Sequence, residues 1–200
     1  RDGHAPFLGD QDLQAYVMAG ITTDHECTDF AYAMKERRNG MTVLIREGSA
    51  ARNREAIVEG IVSNHIRTAG FCFCPDDKHI EDIKKEGHIN FNVRKAIDIG
   101  INPIHAIQMA TIQPARCYGL ESIGAVAPGY QADLVVFEDL AHIKVEEVYY
   151  KGQKIEKHDS NHIRKCPLEL KNTIRVGDFS REKFKLNKSD SCHVIQMEEG

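Results

Sequence analysis

The 200-residue sequence contains no run of about eighteen apolar residues, so it offers no segment of the length a transmembrane helix needs. Basic charge is not in excess: 26 Lys and Arg stand against 30 Asp and Glu, for a net charge of −4. Without a basic stripe, no nucleic-acid partner is expected. Neither G-x-G-x-x-G nor G-x-x-x-x-G-K-[ST] occurs, so a nucleotide-binding sheet has no support. C-x-x-C pairs are also missing. The six cysteines (Cys27, Cys72, Cys74, Cys117, Cys166 and Cys192) sit in a chain too long for a disulfide-built mini-protein. Reduced thiols and a cytoplasmic location are therefore expected, with no membrane association. Cys72 and Cys74 lie two apart, so on a strand they share a face and are expected to pack as small hydrophobes. The opening RDGHAPFLGD has no apolar h-region and is not expected to be a secretory signal. It also lacks a starting Met, so the chain is expected to begin inside a longer polypeptide. There is no internal repeat and no low-complexity tract.

Short apolar runs alternate with helical patterns through the first hundred residues. Asp10 is expected to cap a helix carrying Leu13, Tyr16 and Val17, ended by Gly20. Ile21 to Asp24 is a short extended piece. Thr28 is expected to cap a second helix with Phe30, Ala33 and Met34 on one face and Lys35, Arg37 and Arg38 at its basic end. Gly40 stops it. MTVLI (Met41 to Ile45) and FCFC (Phe71 to Cys74) are apolar runs of strand length, separated by a helix near Arg52 to Ser63. Continuous rather than alternating apolar strands imply burial on both faces, as in a parallel sheet. Strand and helix in alternation imply α/β architecture, either a doubly wound sheet or part of a (β/α)₈ barrel. Two further helices are expected, over His88 to Ile99 and from Asn102-Pro103 onward. After Gly119 the β-branched residues and glycine turns of GAVAPGYQADLVVFED and VEEVYYKGQKI predict a small β element. Residues 157–171 are polar and linker-like, and the tail from Asn172 has the character of another unit's beginning.

Three potential metal ligands stand just past short extended segments: His4 in DGHAP, His25 in ITTDHE and Asp76 in FCFCPDD. In a (β/α) barrel the catalytic groups collect at that end of the strands, because the βα loops build the site. Imidazole and carboxylate donors on such a frame suit a catalytic metal that keeps a position open for water. Each residue also has a plainer role open to it: a loop histidine on the surface, or Asp76-Asp77 as a helix cap. His65, His79, His88, His105, His142, His158, His162 and His193 lie in helical or polar contexts and are given no metal role. IREGSAARN follows directly on MTVLI. Gly48 permits its turn, and Ser49 is expected to cap the next helix, while Arg46 and Glu47 are expected at the barrel mouth near substrate.

DGHAPFLGDQDLQAYVMAGITTDHE, GMTVLIREGSAARN, CPDDKHIEDIKKEGHINFNVRKAI and GAVAPGYQADLVVFEDL together resemble the adenine deaminases of the metal-dependent amidohydrolase superfamily. These stretches follow in that family's order and span nearly the whole chain. REGSAARN and the EGHI stretch are the specific ones, whereas G-x-x-x-P-G-x-x-A-D-L-V is shared across the superfamily. The resemblance implies the second half of a (β/α)₈ TIM-type barrel, strands five to eight, over residues 1–120. It implies the small β element of a composite domain over 121–156, a linker over 157–171 and the truncated start of a C-terminal domain over 172–200. His4 and His25 correspond to the metal ligands after strands five and six. Asp76 corresponds to the strand-eight aspartate, which binds metal and shuttles a proton. Arg46, Glu47, Ser49 and Asp77 are implied on the substrate side. The implied reaction is hydrolytic deamination of adenine to hypoxanthine and ammonia, a purine-salvage step. It would need a divalent metal, Mn²⁺ with Fe²⁺ or Zn²⁺ as alternatives, and two ions in the complete enzyme.

Two departures from the family pattern stand out. The His-x-His pair after strand one and the bridging acidic residue after strand four have no counterpart and would lie upstream of Arg1. A whole barrel takes about 250 residues, so the missing N-terminal half is required. The isolated chain is then expected to be inactive, with exposed edges that favour homo-oligomers. Pro75 also stands where the family has Thr, removing a backbone donor ahead of Asp76. Two other readings are open: an amidohydrolase acting on a cyclic amide or an N-acetyl group, which would share His4, His25 and Asp76 but lack REGSAARN, and a non-catalytic fragment.

Overall fold

A computed structural model describes residues 1–50, 52–156, 166–171, 173–185 and 191. His158, His162, His193, Cys192, most of the expected 157–171 linker and much of the tail fall outside them. The chain divides into two units, residues 1–155 and 156–199.

The first unit is α/β. Four short strands, β1 (Asp2–Gly3), β2 (Thr23–Asp24), β3 (Thr42–Arg46) and β4 (Phe71–Cys74), form one sheet in sequence order, every pair parallel. Helices α1 (Asp10–Met18), α2 (Phe30–Arg38) and α3 (Arg54–Ser63) occupy the three connections. The strand order never reverses, so the sheet lacks the switch point of a doubly wound fold and has the succession of a barrel. Val43, Leu44 and Ile45 are buried in succession, and so are Phe71, Cys72 and Phe73, as the continuous apolar runs require. Their core partners include Ile57, Val58 and Ile61 from α3 and Val93, Ala96, Ala106 and Met109 from α5 (Ile89–Ile99) and α6 (Pro103–Ala110).

Several boundaries differ from expectation for local reasons. The cap of α1 is Gly9. Asp10 is instead the first helical residue, where its charge favours the helix N-terminus and its carboxylate meets Lys35 Nζ at 2.6 Å. The cap of α2 is Asp29 rather than Thr28: its carboxylate accepts the Tyr32 N–H at 2.9 Å. Helix α3 begins at Arg54, because Arg52 is engaged in a bridge to Glu47, and Asn53 rather than Ser49 occupies the cap position. Asn102 caps α6 as expected, accepting the Ile104 N–H. Two short helices were not anticipated. α4 (Ile80–Glu86) buries no residue and so shows no apolar stripe, and α7 (Ile112–Cys117) carries Pro114 inside it.

Strands β5 (Leu134–Phe137), β6 (Val145–Tyr150) and β7 (Gln153–Lys154) make a separate antiparallel sheet with a register shift between Val136 and Phe137. Ile143, in the β5–β6 connection, is fully buried and belongs to the main core cluster. Within the second unit, the described residues form two single-turn 3₁₀ segments, Leu168–Leu170 and Arg181–Phe184. Among the described residues no helix is long and apolar enough to cross a membrane.

Candidate metal centre

The C-terminal ends of the four parallel strands carry His4, His25, Arg46 and, two residues past β4, Asp76. β1 lies so close to β2 that a Cβ at Gly3 would stand 2.7 Å from the Thr23 carbonyl oxygen and 2.6 Å from the Ile21 side chain. Only glycine fits there, and His4 follows directly. The His4 N–H donates to Tyr16 Oη at 2.9 Å, and the Tyr32 hydroxyl donates to the Ala5 carbonyl at 2.6 Å while accepting the Leu8 N–H. Helices α1 and α2 thus hold the turn after β1 from both sides.

The buried carboxylate of Asp24 shapes the turn after β2. It accepts N–H groups from Ala5 at 2.7 Å, Glu26 at 2.8 Å and Cys27 at 3.0 Å. Each turn holding an imidazole is therefore anchored to one side chain. Glu36 of α2 lies beside Asp24. Burial first, then the charge of the nearby Asp24 carboxylate, push the Glu36 carboxyl up to about 9.

His4, His25 and Glu26 bring three donor atoms within 4.8 Å of one another. Glu26 Oε1 stands 3.3 Å from His4 Nδ1 and 3.4 Å from His25 Nε2, while His25 Nδ1 lies 3.4 Å from Asp2 Oδ2. The two rings meet edge to face with centroids 5.8 Å apart. Arg46 joins this group to Asp76: its Nη1 is 2.6 Å from Glu26 Oε1 and 3.3 Å from Asp76 Oδ2, and its Nε donates to Asn53 Oδ1. Asp76 has φ +48°, a left-handed conformation at a non-glycine residue immediately after Pro75. The donor set of two imidazoles and nearby carboxylates fits a divalent cation.

The other expected site residues, Glu47, Ser49 and Asp77, make contacts of their own. The Glu47 side chain is 4 % exposed and its Oε1 is 3.0 Å from Arg54 Nη1; burial raises its pKa while Arg54 works against the rise. Ser49 donates its hydroxyl to Asp82 Oδ2 at 2.5 Å and accepts the His79 N–H, which is the cap position of α4. Asp77 accepts the Ser49 and Ala50 N–H groups at 3.2 and 3.0 Å. These bonds latch the loop after β3 to the loop after β4. Lys78, next in sequence after Asp77, has its Nζ 2.6 Å from Glu86 Oε2 and 4.0 Å from the centroid of the Phe91 ring, a buried cation over an aromatic face paired with a half-buried carboxylate. Glu26 and Asp24 were not anticipated. Their one legible signal was the sequence DHE, which flanks a ligand candidate with carboxylates.

Residues 2–157 match the family model described as "Amidohydrolase family". The chain belongs to the amidohydrolase family. Within that family it is 53% identical over 201 residues to a protein named adenine deaminase from Desulfitobacterium hafniense (strain Y51), covering all of this chain and 35% of that protein. It is 42% identical over 202 residues to one of the same name from Clostridium acetobutylicum, covering 98% of this chain and 35% of that protein. The amidohydrolase chain thus spans about a third of the length of these curated relatives. A solved amidohydrolase from Thermotoga maritima MSB8 has the same fold over 78% of this chain and 43% of its own, with a TM-score of 0.56 at 19% identity. The α/β unit is consistent with a fragment of a TIM-type barrel, and membership of the family implies a divalent metal.

Proposed function

We propose that this chain supplies half of the active site of an adenine deaminase, which hydrolyses adenine to hypoxanthine and ammonia. The observation that carries the proposal is the similarity to relatives of that name, 53% identity running the whole length of the chain. It includes the loops after β3 and β4 that line the His4, His25 and Asp76 end of the sheet. On this reading β1 to β4 are barrel strands five to eight within residues 1–120, followed by a β element over 121–156, a linker over 157–171 and the start of a C-terminal domain over 172–200. The remaining half of the barrel, with further ligands, comes from sequence outside this chain. The enzyme works in the cytoplasm in purine salvage, and exposed barrel edges favour a homo-oligomer.

His4 and His25 hold the metal, Mn²⁺ in this proposal and one of two ions in the complete site, with Asp76 completing their set. A divalent ion there supplies Lewis acidity that makes water nucleophilic near neutral pH. Asp76 takes the proton lost by the water that attacks C6 and returns one to the departing amino group, so adenine and water become hypoxanthine and ammonia. Arg46 orients the Asp76 carboxylate for both transfers, through the contact of 3.3 Å. Glu47, Ser49 and Asp77 act on the substrate side by fixing the loops that face it.

The test is ammonia release from adenine with Mn²⁺, measured on this chain joined to an N-terminal barrel half, beside an Asp76→Asn variant. Turnover abolished by Asp76→Asn is expected, together with no turnover by the 200-residue chain alone. Metal bound without any action on adenine would overturn the substrate assignment.

A further inference from the structure

We propose that Glu26 is a direct ligand of the divalent cation at the imidazole pair, a role the family resemblance does not assign to any residue at this position. This rests on the metal-dependent reading above. Around a tetrahedral ion with metal–donor distances of about 2.1 Å, donors lie roughly 3.4 Å apart. Glu26 Oε1 stands 3.3 Å from His4 Nδ1 and 3.4 Å from His25 Nε2, so both imidazole–carboxylate edges already have that length. The three donor atoms lie within one group of 4.8 Å, and Asp76 is not a member of it.

The backbone fixes this placement. Glu26 follows His25 directly, and the buried Asp24 carboxylate accepts the Glu26 N–H at 2.8 Å and the Cys27 N–H at 3.0 Å. The Glu26 side chain is 15 % exposed, shielded enough for its charge to matter, and His4 stays open on the solvent side at 69 %. Arg46 Nη1, at 2.6 Å from Oε1, is the cation that balances Glu26. Two imidazole nitrogens and a carboxylate oxygen are the donor types of catalytic zinc-type sites, and Arg46 joins this group to Asp76, a further carboxylate. The ligand class is therefore a divalent transition-metal ion such as Zn²⁺, Mn²⁺ or Fe²⁺.

The experiment is calorimetric titration of the chelator-stripped full chain with Zn²⁺ and with Mn²⁺, beside Glu26→Gln and Glu59→Gln, with circular dichroism to check folding. Glu26→Gln is expected to weaken binding about tenfold to a hundredfold, whereas Glu59→Gln, which removes an exposed carboxylate of α3, leaves it unchanged. Anomalous diffraction from the unsubstituted chain soaked in Zn²⁺ is expected to place a Glu26 oxygen about 2.0–2.2 Å from the ion, a readout that needs no variant. Unchanged affinity in Glu26→Gln, an equal loss in Glu59→Gln, no binding by the unsubstituted chain, or an ion without a Glu26 oxygen would each overturn the proposal. Adenine turnover plays no part in these readouts. A failed deaminase assay therefore leaves the site standing, and a failed Glu26 leaves the deaminase reading standing.

Discussion

Asp24 accepts the Ala5 N–H at 2.7 Å across 19 residues of sequence, and so ties the turn bearing His4 to the turn bearing His25. Its second oxygen takes the Glu26 and Cys27 N–H groups. Truncation would leave three donors without their acceptor, two of them buried. Asp24→Ala is expected to cost about 3 kcal/mol or more in denaturant unfolding. Asp24→Asn, which keeps one oxygen but turns an amide donor toward N–H groups, is expected to cost less. A loss of under 1 kcal/mol in Asp24→Ala would show that the turns hold without it.

Glu36 gives the stability a definite pH dependence. Its folded pKa, about 9, lies above the ordinary 4.5. The folded chain therefore binds more protons than the unfolded one between these values, and stability falls as pH rises through that window. Glu36→Gln removes the ionisable group at nearly constant shape. It is expected to raise stability at pH 8 by about 1–3 kcal/mol and to flatten the stability–pH curve above pH 5. A variant whose curve keeps the slope of the parent would place the titration elsewhere.

Gly3 is a steric requirement of the β1–β2 contact. An added methyl would meet backbone, the Thr23 carbonyl oxygen at 2.7 Å, as well as the Ile21 and Tyr16 side chains. Gly3→Ala is expected to push β1 off β2, with a destabilisation of about 1–3 kcal/mol. Because His4 is the next residue, a loss of Zn²⁺ affinity should accompany it. Wild-type affinity together with lowered stability would separate the strand contact from the site.

The thiols offer a chemical check on the packing. Burial pushes Cys72 and Cys74 up to about 12, and it raises Cys27 as well. Cys166 is exposed. Iodoacetamide at pH 8 followed by peptide mass mapping is expected to label Cys166 promptly, and Cys27, Cys72 and Cys74 only after denaturation. Fast labelling of Cys72 in the native chain would contradict the burial of β4.

Much of the strand and helix succession was legible because it rests on local pattern. MTVLI and FCFC are continuous apolar runs, and they became β3 and β4, buried on both faces. Asn102-Pro103 opened α6 through its own side chain. Illegible elements were those whose stability comes from elsewhere. Helix α4 buries nothing and is held at its start by Ser49, thirty residues away.

By itself the sequence determined that apolar runs of strand length alternate with helices, and that His4, His25 and Asp76 follow extended segments, since both are statements about neighbours along the chain. Only the tertiary structure decided which carboxylate meets the imidazoles. Glu26 reaches both rings because Asp24 curls the turn beneath it, while Arg46, arriving from the next strand, spans the gap to Asp76. Glu47, equally placed in sequence at a strand end, turned inward to Arg54 instead. The choice between those two glutamates depends on what the fold brings beside each, Arg46 and the two imidazoles at Glu26 and Arg54 at Glu47. Linear spacing does not encode that, because it is fixed only when the strands are laid side by side.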